Sequence, residues 1–185
     1  VYRGERAQKG RYREFYQADI DVIGDGALDI INEAEIPAII YKTFTALGLS
    51  RFKIRVNNRK VLNGLFAILG LEEQAGDVMR TIDKLEKIGP EKVKAILVDD
   101  FSVSAQAANS LLTLLAADDP MAALEPFKGK NERFDQGVSE LSTVVGYLSA
   151  FGVPEDHFMV DLTIARGLDY YTGTVYETVM LDHPE

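Results

Sequence analysis

Strand-like alternation occurs at both ends of this 185-residue chain, and between the two blocks every apolar pattern is helical. Residues 1–22 and 52–57 carry aromatic and β-branched residues at a spacing of two, as do residues 158–164 and 170–180. Residues 59–150 instead show helical spacing over 61–69, 78–88, 93–97, 105–117 and 134–151, with loops at Asp118-Asp119-Pro120 and Lys128-Gly129-Lys130-Asn131. A sheet that starts, stops and resumes around a helical run predicts one α+β domain with an insertion: residues 1–58 and 151–185 form the core, and 59–150 interrupt it.

The first block is expected to be two antiparallel strands joined by a long polar loop containing Gly10. Alternation in the second strand puts Arg13, Phe15, Gln17, Asp19 and Asp21 on one face, a face too polar for a core. A helix follows, with Asn32 and Glu35 resembling a capping box. Its apolar stripe is Ile36, Ile39, Ile40, Phe44 and Leu47, ending at Gly48. Such a helix would cover one face of a largely antiparallel sheet.

Composition narrows the function. With 46% hydrophobic and 26% charged residues the chain can bury a core, so wholesale disorder is excluded. No run reaches the roughly 18 apolar residues of a transmembrane helix, and the charged start is not a signal peptide, so the cytoplasm is the expected compartment. The absence of cysteine removes disulfides, zinc ribbons and thiol nucleophiles. His157 and His183 have no second imidazole at ligand spacing and read as surface or core residues. Gly24-Asp25-Gly26 lacks a dinucleotide fingerprint, Lys9-Gly10 lacks a phosphate-loop context, and there is no Gly-x-Ser-x-Gly elbow.

The net charge of −9 conceals an inversion: residues 1–17 carry +3 and the remainder −12. Arg3, Arg6, Lys9, Arg11 and Arg13 could bind an anion, since a guanidinium fork suits phosphate, or could be a solvated hairpin tip. Arg166, leaving the end of an apolar strand, could be catalytic or could form a structural ion pair, and Tyr170 and Tyr171 could line a pocket or pack in the core.

Two segments together resemble the histidyl-tRNA synthetases, class II aminoacyl-tRNA synthetases. Arg3-Gly4-Glu5-Arg6 with residues 8–17 is similar to the family's motif 2, and Arg166-Gly167-Leu168-Asp169-Tyr170-Tyr171-Thr172-Gly173 to its histidine-specific signature. The resemblance implies activation of L-histidine by ATP to histidyl-adenylate, followed by transfer to the acceptor end of its tRNA. It implies that Arg3 and Arg166 are catalytic and hold the α-phosphate, that Glu5 contacts adenine, and that Arg11 reaches the distal phosphates. Gln17, Asp21, Arg166, Tyr170 and Tyr171 would bind histidine. ATP would be a substrate carrying Mg2+ on its phosphates, with no metal held by the protein.

Two positions depart from the family: Ala7 stands where Pro is usual, and Asp21 where Glu is frequent. The alternatives are a regulatory paralogue that partners ATP phosphoribosyltransferase in histidine biosynthesis, and a purely tRNA-binding piece. The chain opens without Met, so motif 1 is expected before residue 1, and motif 3 and an anticodon-binding domain after residue 185. The full-length protein is expected to be a homodimer with little activity in this segment alone, and no membrane is expected as a partner.

Overall fold

A computed structural model describes residues 1–4, 6–164 and 171–182 of the chain. Its central strand, β1 (Phe52–Asn58), lies between β2 (Phe158–Val160), which it pairs in parallel, and β3 (Thr174–Met180), which it pairs antiparallel. The register sets Ile54 beside Phe158 on one side and Thr178 on the other. The class is α+β, and the small sheet is mixed, with seven antiparallel residue pairs to β3 and three parallel pairs to β2. Parallel pairing needs a long crossover, and residues 59–157 are that crossover.

Among the described residues, those of 1–22 make no pairing with this sheet. Val1 and Phe15 exchange main-chain hydrogen bonds, Arg3 N donates to Arg13 O at 2.9 Å, and Gln8 and Arg11 pair around a tight turn at Lys9-Gly10. Gly10 has φ +77°, the left-handed value that glycine adopts without steric cost. The connection is therefore a tight turn and not a long loop. Residues 16–22 carry no ladder pairing among the described residues. Gln17 is hydrogen-bonded to Arg3 and Asp19, while Asp21 lines a separate concavity.

Helix α1 (Ile31–Ala46) follows, and its start differs from the predicted capping box. Asn32 lies inside the helix, and the Asp29 carboxylate accepts from Ile31 N at 3.0 Å. The fully buried face is Ala34, Pro37 and Ala38, with Leu47 exposed, so small residues rather than the isoleucine stripe make the closest approach. The Phe52 ring of β1 meets Phe44 at 5.2 Å and His157 at 4.8 Å between centroids, and His157 also meets Tyr41 edge-on. His157 is thus an aromatic packing residue, while His183 lies outside the described residues.

The long segment is helical as its spacing predicts: α2 (Arg59–Ile68), α3 (Ala75–Ile82), α4 (Leu85–Ile88), α5 (Pro90–Ala95), α6 (Ala105–Leu115), α7 (Pro120–Leu124) and α8 (Glu132–Ala150). Polar side chains start four of them. Asn58 accepts from Lys60 N, Ser104 from Ala107 N, Asp119 from Ala122 N and Asn131 from Phe134 N. Helices α2 and α8 pack together, and α8 also meets α1 and β1. Their inner residues, among them Leu62, Leu65, Phe66, Phe134, Leu141 and Leu148, share one buried cluster with Ile54 and Val56 of β1.

Beneath the sheet is a polar network that sequence reasoning did not single out. Arg55, 9% exposed, donates through Nε to Asp161 at 2.5 Å and through Nη2 to Glu86 at 2.6 Å and Thr163 Oγ1 at 3.0 Å. Burial opposes its charge, but hydrogen bonds and attraction from Asp161 and Glu86 outweigh it, so the pKa lies above the ordinary arginine value. Asn57, fully buried, donates to the carbonyls of Leu162 at 3.3 Å and Ile164 at 3.0 Å. The sequence signal was an arginine and an asparagine two residues apart, alternating with Ile54 and Val56 and hence on one face.

Candidate functional site

Two groups of the expected residues come together at different places. In the hairpin, Arg3 and Arg11 line a concavity of about 390 Å3 with Gly10, Tyr12 and Phe15. The Arg3 guanidinium lies 5.1 Å from the Phe15 ring centre and donates to Gln17 Oε1 at 2.7 Å, while Gln17 Nε2 donates to Asp19 Oδ1 at 2.6 Å. Arg3 is thus steadied by a ring face and a neutral amide. Neither cancels its charge, which leaves the concavity suited to an anion.

The second group joins opposite ends of the chain. Asp21 and Tyr171 line one cavity of about 320 Å3 together with Asn32, Glu33, Thr174 and Tyr176 and an apolar side that includes Ile20 and Ile36. The Asp21 carboxylate favours a ligand with an ammonium or another N–H donor, and phenol hydroxyls can donate or accept. Such a lining suits an amino acid with a polar side chain. Gln17, expected beside Asp21, is instead tied to Arg3. Glu5, Arg166 and Tyr170 lie outside the described residues.

Glu33, Thr174 and Tyr176 were not anticipated at the site. Glu33 stands in the first turn of α1, where an acidic residue is ordinary for a helix start. Its carboxylate accepts a hydrogen bond from the Thr174 hydroxyl, and its main-chain carbonyl accepts one from the Tyr176 hydroxyl. Burial, with the Glu33 charge adding to it, raises the Tyr176 pKa well above the ordinary phenol value, so Tyr176 remains a donor. Two larger hollows, of about 680 and 700 Å3, lie against α7 and α8 and beside Arg55, and contain none of the expected residues.

The family model for histidyl-tRNA synthetase matches residues 1–185. The chain is 49% identical over 189 residues to the histidine–tRNA ligase of Clostridium tetani, covering all of this chain and 43% of that protein. It is 45% identical over 196 residues to the ligase of Xanthomonas oryzae pv. oryzae, covering 42% of it. The chain thus spans less than half the length of these relatives. Among solved structures, histidyl-tRNA synthetase from Nostoc sp. PCC 7120 superposes with a TM-score of 0.80 at 39% identity, over 85% of this chain and 38% of that one.

An ATP phosphoribosyltransferase regulatory subunit/histidyl-tRNA synthetase from Bacillus halodurans superposes with a TM-score of 0.70 over 89% of this chain and 42% of that one. Its identity is 23%, and it shares the fold alone. The regulatory alternative therefore fits less well than the ligases. With a family model matched from end to end and ligase relatives at nearly half identity, the chain belongs to the histidyl-tRNA synthetase family.

Proposed function

We propose that this chain is the part of a histidine–tRNA ligase that holds the reacting groups of histidine and ATP. The observation that carries the reading is the shared cavity of Asp21 and Tyr171, residues 150 positions apart in sequence. Residues 1–58 and 151–185 then belong to the catalytic core, with 59–150 as its helical insertion.

The reaction needs little beyond positioned charge. The histidine carboxylate, ionised at neutral pH, attacks the α-phosphorus of ATP, an oxygen–phosphorus bond forms, and pyrophosphate leaves. Arg3 and Arg166 would stabilise the negative charge that grows on the α-phosphate oxygens, Arg11 would hold the distal phosphates with their Mg2+, and Glu5 would contact adenine. Asp21, Gln17, Tyr170 and Tyr171 would bind histidine. The basic hairpin would also receive the tRNA acceptor end. The full-length enzyme is proposed to be a cytoplasmic homodimer. Among the described residues no helix is long and apolar enough to cross a membrane.

The test is ATP–pyrophosphate exchange in a full-length ligase carrying this segment. Arg166→Ala is expected to lower kcat by about 10²- to 10³-fold, the scale of one lost transition-state donor. Tyr171→Ala is expected to raise the KM for histidine more than that for ATP. Near-normal exchange by Arg166→Ala, or equal rises in both constants for Tyr171→Ala, would contradict the assignments.

A further inference from the structure

The wall of the Asp21–Tyr171 cavity is the start of β3, and one side chain of α1 secures it. Thr174 and Tyr176 are two residues apart on β3 and so share a face. Both reach Glu33, Thr174 at its carboxylate and Tyr176 at its main-chain carbonyl. Next to them, Gly173 O accepts from Arg59 N at 2.8 Å, at the first residue of α2. Gly173 permits the approach of Glu33, because a Cβ there would lie 3.1 Å from Glu33 Oε1. Tyr171 sits three residues upstream of Thr174.

We propose that Glu33 is a positioning residue for the histidine-binding wall, fixing Tyr171 over the cavity by holding Thr174 against α1. The inference rests on the assignment of Asp21 and Tyr171 to the amino-acid pocket. What Glu33 supplies is an acceptor oxygen in a fixed place, not a charge on the substrate. An amide oxygen can accept the Thr174 hydrogen bond as a carboxylate does, which separates the two roles.

The test uses the full-length ligase, with KM for histidine and for ATP read by pyrophosphate exchange and Tm read for every variant. Glu33→Ala and Thr174→Val are each expected to raise the histidine KM about tenfold with the ATP KM unchanged, the scale of one lost hydrogen bond to a charged group. The double variant is expected to be no worse than either single one, since both break the same link. Glu33→Gln is expected to stay within about twofold of the parent, because the acceptor is retained.

Glu33→Gln as harmful as Glu33→Ala would overturn the proposal in favour of direct charge contact with the substrate. So would a harmless Thr174→Val, or equal rises in the two KM values. Should Glu33→Ala fail to fold, Thr174→Val decides alone, since it exchanges one hydroxyl for a methyl. Tyr171→Ala, run in parallel, separates the layers. A histidine KM unmoved by Tyr171→Ala removes the pocket assignment itself, whereas a raised one with Glu33→Ala and Thr174→Val both neutral removes only the positioning role.

Discussion

Arg55 illustrates how burial decides the worth of an ion pair. It has two carboxylate partners at nearly equal distance, but the Asp161 side chain is 12% exposed and that of Glu86 is 72% exposed. Water screens the second pair, and the first is shielded. Removing the guanidinium leaves Asp161, among the described residues, with Thr163, whose N at 2.9 Å and hydroxyl at 2.6 Å still donate to it. Arg55→Met is therefore expected to destabilise the fold by about 3 kcal/mol, the scale for leaving a buried charge without its partner. Glu86→Ala should cost less than about 1 kcal/mol, as exposed pairs do. Urea denaturation midpoints at constant slope measure both, and equal losses would show that Asp161 is not the partner that matters.

At the scale of elements, α8 contains its own control. A Cβ at Gly137 would lie 2.5 Å from Val61 N, and one at Gly64 of α2 would lie 2.5 Å from Phe134 N, so each helix gives up a side chain for the other's backbone. Gly146, in the same helix, has nothing within 4 Å of the equivalent position. Gly146→Ala is expected to stabilise by up to about 1 kcal/mol through helix propensity. Gly137→Ala is expected to destabilise by about 2 kcal/mol or more despite the same gain, because main chain must move. Thermal melts of the two variants should shift in opposite directions, and shifts of the same sign would mean that the helices separate at little cost.

This pairing also shows what the sequence could disclose. The period of α8 is readable because a continuous stripe, Phe134, Val138, Leu141, Val144 and Leu148, faces the core. Residues 16–22 alternate as a strand would, but alternation records only which faces differ, and pairing also depends on a partner at the right register. Asp21 and Tyr171 were named from the resemblance, and their meeting in one cavity depends on β1 setting the end of the chain beside α1. Glu33 carried no signal, since nothing local separates a first-turn glutamate that complements a helix from one that holds a distant strand.

For the whole molecule, the order β2-β1-β3 makes the first strand of the sheet its centre, so both later strands assemble on a template laid down about a hundred residues earlier. That template is not supported by the core segments alone. Helix α8 packs on α1 and β1, α2 packs on α8, and their buried side chains belong to the same cluster as Ile54 and Val56. Phe66, Phe134, Leu62, Leu65, Leu141 and Leu148 are each essentially inaccessible. At about 1.5 to 3 kcal/mol for each buried side chain, their loss is comparable to the roughly 5 to 15 kcal/mol by which domains are ordinarily stable. Replacing residues 59–150 by a short linker is therefore expected to leave an unfolded chain with no cooperative transition in circular dichroism. Were the shortened chain to melt cooperatively, the sheet would carry its own core, and α2 and α8 would belong to a separate unit.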